Sequence, residues 1–312
     1  MTNDFKEISA GILSPFVVQK IWGGSRLSGL KNIIHLPSDL PLGETWEVSC
    51  HPDGPSLLEG EALDELVDPI HLPYIVKFID TGDNLSIQVH PEDEYALKHE
   101  QQSGKTECWI ILDSDPSSGL FLGLKPDVTK ASLRHGIENN DDISKLLNFY
   151  PVKKGDFFYV PAGSIHAIGE GITLAEIQQS SGVTYRVWDW NRVDKNGKGR
   201  TLHVDKAIDV INFSAEKNNK EYFKFKKSII SNAPSQLVEH DQFNVEILSA
   251  SNEMIEIVNK GNRHYSLINL DQSLELQYKG MSIDLNPYSA FLIPIETSIK
   301  IINSNGPYLL VK

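Results

Sequence analysis

Short apolar runs separated by Gly, Pro, Asn and Asp recur along most of the chain, and this pattern predicts a mainly β fold. Segments 74–79, 85–89, 106–112, 156–160, 172–178 and 183–188 read as strands in the first two thirds. Segments 244–248, 253–258, 265–269, 274–278, 290–294, 299–302 and 308–311 continue the pattern to the C-terminus. One interval differs. Val128, Ala131, Leu133, Ile137, Ile143, Leu146 and Leu147 recur at roughly helical spacing, and Asp141 and Asp142 are placed to start a second helix. This predicts a helical insertion near 126–150, with a further short helix over 204–213. The polar, basic stretch 217–227 reads as a connection, which divides the chain into a first domain at 1–215 and a second at 216–312. Phe291-Leu292-Ile293-Pro294 echoes Tyr159-Val160-Pro161, so the second domain is expected to be a barrel like the first.

A chain of 312 residues, 40% hydrophobic and 23% charged, has the profile of a folded protein with a large core. Its formal net charge of −13 repels nucleic acid and anionic membrane, so neither is expected as a partner. A small anionic substrate remains compatible, provided the pocket gathers its own basic residues. No segment approaches the roughly 20 apolar residues needed to span a bilayer, and residues 1–15 lack the apolar core of a signal peptide. Cys50 and Cys108 suit neither a disulfide framework nor a Cys-x-x-Cys metal site, which points to a reducing, cytoplasmic compartment. Oligomeric state is not legible from these features.

The candidate chemistry is a metal centre split along the chain. Gln88 and His90 are two residues apart on a predicted strand and therefore share a face. Glu107 lies seventeen residues beyond His90, on an apolar strand where a buried carboxylate needs a counter-charge. His166 ends a Pro-x-Gly-x-x-His turn that follows Gly155-Asp156-Phe157-Phe158-Tyr159-Val160. One amide, two imidazoles and one carboxylate suit a divalent metal such as zinc. Cys108 alternates away from Lys105 and Glu107 and is expected to be ordinary packing. Taken alone, Arg186 in Tyr-Arg-Val-Trp-Asp-Trp reads as a cation packed on aromatic rings, and Lys77 as an edge-strand lysine.

Gly155-(x5)-Pro161-x-Gly163-(x2)-His166 resembles the second motif of cupin β-barrels, although the His-x-His pair of the usual first motif is replaced by Gln88-x-His90. With Trp22-Gly23-Gly24, Gly43-Glu44-Thr45-Trp46-Glu47, Gly104-Lys105-Thr106-Glu107 and Thr184-Tyr185-Arg186-Val187-Trp188-Asp189-Trp190, the chain resembles type I phosphomannose isomerase in its short bacterial form. The match runs over most of 15–205 and more loosely beyond. The resemblance implies two cupin-type jelly-roll barrels, the second without a metal, and one Zn²⁺ per chain on Gln88, His90, Glu107 and His166. It also implies interconversion of mannose 6-phosphate and fructose 6-phosphate through an enediol-type intermediate.

Arg186, ten residues beyond Glu176, matches the family's catalytic arginine, with stabilisation of charge as its expected role. Lys105 and Glu176 are candidates for proton transfer, and Lys77, Lys105, Ser86 and Arg186 for holding the phosphorylated sugar. Longer family members carry histidine before the lysine equivalent to Lys105; here that position is Gly104, so a proton-transfer role proposed for that histidine does not carry over. Two other classes stay open at this point: a cupin oxygenase using iron or manganese, and a non-catalytic sugar-binding cupin.

Overall fold

The computed structural model describes residues 8–34, 36–193, 196–231, 234–248, 254–304 and 306–312. The architecture is mainly β, in four antiparallel sheets. A six-stranded sheet has the order Phe157–Val160, Glu107–Ser114, Ile172–Gln179, Tyr74–Asp80, Leu42–Val48 and Phe16–Gly24. Facing it is a five-stranded sheet of Leu147–Pro151, Gly119–Leu124, His166–Ile168, Ile87–Val89 and Tyr185–Trp188.

Strand periodicity explains how the layers stack. In Tyr74–Asp80 and Ile172–Gln179 every residue is buried, so both faces of these strands are covered. One face carries Tyr74, Val76, Phe78, Ala175 and Ile177, which join Ile268, Leu292 and Val311 in one apolar core. That core ties the six-stranded sheet to an eight-stranded sheet built largely from the C-terminal part of the chain. The other face, with Ile79, Trp109, Ile111 and Leu174, packs with Leu120, Leu122 and Ile168 of the five-stranded sheet. Beyond the eight-stranded sheet, a four-stranded sheet of Ile255–Asn259, Thr297–Ser304, Leu274–Tyr278 and Met281–Leu285 closes the far side.

The eight-stranded sheet draws on both ends of the chain. Gly11–Ser14 pairs with Ala290–Ile293 and with Leu57–Leu58, which in turn pairs with Glu61–Ala62. The sheet is therefore not made from residues 216–312 alone.

The helical reading of 126–150 is corrected in its second half. Lys130–Glu138 is an α-helix, capped by the Thr129 side chain on the Ser132 amide. Asn140, at φ 59°, then ends the helical path. Asp142 caps only a 3₁₀ turn, Ile143–Leu146, and Leu147–Pro151 is a strand paired with Gly119–Leu124. A ladder that satisfies the backbone from 147 onward outcompetes a helix this short. The helix expected over 204–213 is Val204–Val210. The strand expected from Glu253 spans Ile255–Asn259, and Glu253 itself lies outside the described residues. Among the described residues no helix is long and apolar enough to cross a membrane.

Candidate metal centre and pocket

Register places the site between the two facing sheets. In the six-stranded sheet Lys77 lies directly opposite both Trp46 and Glu176, and Glu176 opposite Trp109. Residues directly opposite in an antiparallel pair share a face, so Trp46, Lys77, Glu176 and Trp109 form one row across four strands. Two positions along, Glu107 stands opposite Gln178. In the five-stranded sheet His166, Gln88 and Arg186 are directly opposite one another across three strands. The turn before His166 depends on Gly163, at φ 83°, where an added Cβ would collide with Asn212.

His90, Glu107 and His166 converge, with one ligand-type atom from each lying within 4.8 Å of the others. All three are at most 1% exposed. His166 Nε2 is 3.3 Å from Glu107 Oε1, and His90 Nε2 is 3.7 Å from Oε2. Each imidazole uses its other nitrogen on a carbonyl: His90 Nδ1 on Val183 O at 2.8 Å and His166 Nδ1 on Ser164 O at 3.0 Å. A carbonyl only accepts, so Nδ1 carries the proton and the Nε2 lone pairs point at the carboxylate.

Glu107 is met by one cation, the Lys105 ammonium at 2.8 Å from Oε2. Burial pushes its carboxyl up to about 7, although the Lys105 charge opposes this. Burial also lowers both imidazoles, His166 to about 4 and His90 well below its ordinary range, with the Lys105 charge adding to the effect at His90. One carboxylate and two imidazole lone pairs thus face one another, a donor set that a divalent cation balances.

Gln88 sits at the edge of this group. Its Nε2 is 3.4 Å from His166 Nε2, and its Oε1 accepts from Ser86 Oγ at 3.3 Å. Lys105 Nζ is 2.8 Å from Glu107 Oε2 and 3.1 Å from His90 Nε2. Burial lowers the lysine pKa, but Glu107 and Glu176 outweigh it and hold the ammonium above its usual range.

A cavity of about 490 Å³ opens onto this centre, and Gln88 and Lys105 form part of its wall. Lys77, Ser86, Glu176 and Arg186 also line it, so the residues expected to act on a substrate surround one space. Lys77 Nζ lies 3.5 Å from Glu176 Oε1 and 3.8 Å from Glu44 Oε2, and stands 4.5 Å over the Trp46 ring. Glu176 Oε2 accepts from Trp109 Nε1 at 3.1 Å. Burial raises the Glu176 pKa, but Lys105 and Lys77 together hold its carboxyl below the usual carboxylate range. Arg186 donates through Nε to Ser86 Oγ at 3.3 Å and through a terminal nitrogen to Thr201 O at 2.9 Å.

Among the lining residues that sequence reasoning did not assign to the site are Glu44, Trp46 and Arg200. Glu44 and Trp46 lie in a quoted motif two residues apart on one strand, and alternation would have put them on one face. Arg200 follows a loop and carries no periodic signal. The position of Gly104 has a steric reason. A Cβ there would lie 2.6 Å from the Asp93 nitrogen, and the Gly104 amide donates to Asp93 Oδ1 at 2.7 Å, so the chain has no room for the histidine of longer relatives.

No family model matches the chain. It is 42% identical to the mannose-6-phosphate isomerase of Streptococcus mutans, across 64% of this chain and 67% of that protein. It is 40% identical to the Bacillus subtilis protein named "probable mannose-6-phosphate isomerase GmuF", over 64% and 67% of the two chains. The fold matches the crystal structure of the mannose 6-phosphate isomerase from Bacillus subtilis with a TM-score of 0.82 at 28% identity, covering 98% of this chain and 100% of the other. On the strength of this likeness, which extends from sequence to the whole fold, the chain belongs to the mannose-6-phosphate isomerase family.

Proposed function

We propose that the chain is a zinc-dependent aldose–ketose isomerase that interconverts D-mannose 6-phosphate and D-fructose 6-phosphate. The observation that supports this reading is the buried Glu107 carboxylate set between two imidazole lone pairs, behind a cavity whose wall includes Lys77, Lys105 and Arg186. His90, Glu107 and His166 would hold the ion. Gln88 would join them through its amide oxygen after a rotation of the amide. Zinc so held supplies a Lewis acid that acidifies the carbon next to a carbonyl without redox change.

The other residues divide the remaining work. Arg186 keeps its charge at any working pH, so it stabilises the negative charge of the enediol-type intermediate. Glu176 is the proton acceptor: Lys105 and Lys77 keep it ionised, and it faces the cavity. Glu176 then returns the proton at the neighbouring carbon, and Lys105, beside Glu107, neutralises developing charge. Lys77 and Ser86 help to hold the sugar phosphate.

The two facing sheets around the site form one cupin-type jelly roll in 1–215, and the other two sheets form a second, metal-free one in 216–312 that borrows Gly11–Ser14 and residues 57–62. Two buried, unpaired cysteines fit a reducing cytoplasmic compartment. The test is a coupled isomerase assay on mannose 6-phosphate, with glucose 6-phosphate in parallel, before and after chelation and zinc return. Turnover lost on chelation and restored by zinc is the expected result. Oxygen consumption without isomerisation would favour an oxygenase instead, and sugar binding without turnover a binding protein.

A further inference from the structure

Asp189 directly follows the strand that carries Arg186, and it is 5% exposed. Its carboxylate is shared between two guanidinium groups. Arg200 grips it side-on, with Nε donating to Oδ2 at 2.6 Å and a terminal nitrogen to Oδ1, while Arg192 also donates to Oδ1. Burial alone would raise the Asp189 pKa, but the two arginines hold it below the usual range. Asp189 thus answers both guanidinium groups, and Asp83 supplies a second negative charge at Arg192.

The two arginines use their remaining donors differently. Arg192 turns away from the cavity and gives its other terminal nitrogen to Asp83 Oδ2 at 3.1 Å and Asn84 O at 2.8 Å. Arg200 lines the cavity beside Arg186 and Ser86, and its charge is felt at Arg186. Nε and one terminal nitrogen of Arg200 are committed to Asp189. The guanidinium fork leaves the second terminal nitrogen with two further donors.

The backbone around Asp189 is built to keep the carboxylate still. Trp190 and Asn191 both adopt φ 55°, a doubled left-handed turn that brings the Arg192 amide back to Asp189 O at 3.0 Å. Trp190 Nε1 pins that turn to Leu85 O at 2.6 Å. A surface ion pair needs no such frame.

We propose that Asp189 is a positioning residue: it holds Arg200 against the cavity so that the remaining donors of Arg200 meet the phosphoryl group of the sugar phosphate, which leaves Arg186 to the reacting end. This rests on the sugar-phosphate reading of the site. A phosphate monoester is close to a dianion at neutral pH, and a fixed guanidinium supplies charge and a planar set of donors that an ammonium cannot. The chain would therefore select phosphorylated over free hexose through Arg200, with Asp189 setting the angle.

The experiment compares wild type, Arg200→Gln, Asp189→Asn and the double variant. It follows steady-state kinetics on mannose 6-phosphate and calorimetric titration with inorganic phosphate, which needs no turnover. Arg200→Gln and Asp189→Asn should each raise KM and weaken phosphate binding by roughly 10- to 100-fold, the loss typical of a charged hydrogen bond, with kcat little changed. The double variant should be no worse than Arg200→Gln, because both act through one contact. Should Asp189→Asn fail to fold, Asp189→Glu keeps the charge and displaces Arg200, and it should weaken phosphate binding in a folded protein. Phosphate affinity and KM unchanged in Arg200→Gln would overturn the proposal, as would Asp189 variants that lower the melting temperature alone. If wild type does not isomerise the sugar, the isomerase reading falls, while the phosphate titration still decides the roles of Arg200 and Asp189.

Discussion

Arg186 lies directly across from Gln88 in the register of adjacent strands. The guanidinium therefore shares a sheet face with the metal-facing row, yet its own bonds go to Ser86 and Thr201 and not to the His–Glu group. An arginine so placed can act on charge in the cavity without helping to build the metal centre. Arg186→Ala should mainly lower kcat, by roughly 10²- to 10³-fold, as expected when one electrostatic stabiliser is removed from a closed site. Zinc content by elemental analysis should stay at the wild-type level. Arg186→Lys should fail substantially too, because an ammonium cannot reproduce the planar contact. A raised KM with normal kcat would instead make Arg186 a phosphate anchor.

Removing one imidazole should undo the centre as a unit. His166→Ala is expected to lose bound metal and activity together, because the lone pair facing Glu107 disappears and the buried carboxylate loses part of its shared counter-ion. The core between the six- and eight-stranded sheets does not involve His166, so far-ultraviolet circular dichroism should remain native-like. Full zinc occupancy with normal turnover would remove His166 from the ligand set.

Gly104 offers a steric test. A Cβ there would press on the Asp93 backbone, at the start of the helix Asp93–Glu100, and backbone cannot yield as a side-chain tip can. Gly104→His, the residue of longer relatives, should lower the melting temperature and disturb Lys105, with a loss of kcat. An unchanged melting curve would show that the loop before Glu107 can shift to admit it.

Acid sensitivity should come in part from the far end of the molecule. His264 is 9% exposed, its Nδ1 makes no hydrogen bond, and its backbone amide donates to His71 O. Burial lowers its pKa from an ordinary 6.5 to about 4. Between those values the unfolded chain binds the proton and the folded chain does not, so this histidine makes stability fall as pH drops from 6.5 towards 4. Melting temperatures across that window should fall less steeply for His264→Gln than for wild type. Parallel curves would assign the acid sensitivity to other groups.

Much of the site was legible because its residues obey local rules. Gln88 and His90 alternate on one strand, Glu107 needs a counter-charge in an apolar run, and the glycine–proline turn delivers His166. Cys108 packs into the apolar core behind the strand, as alternation predicts. The second helix expected from Asp141 and Asp142 was misread because Leu146 and Leu147 fit a helical stripe, while Leu147–Pro151 finds its partner in Gly119–Leu124. Arg200 went unnoticed because its importance comes from Asp189 and Arg186 and not from any repeat in its own segment.

The sequence by itself determined strand period, turn chemistry and the kinds of donor that gather at the centre, since each depends on residues a few positions apart. Only the tertiary structure decided that Gly11–Ser14 would cross to the eight-stranded sheet, that both faces of Tyr74–Asp80 would be covered, and that Lys77, Glu176, Arg186 and Arg200 would share one cavity. Alternation fixes which side of a strand a residue occupies, but it carries no record of which strand lies alongside. That choice is made when sheets bury their apolar faces against one another, a global free energy to which every strand contributes.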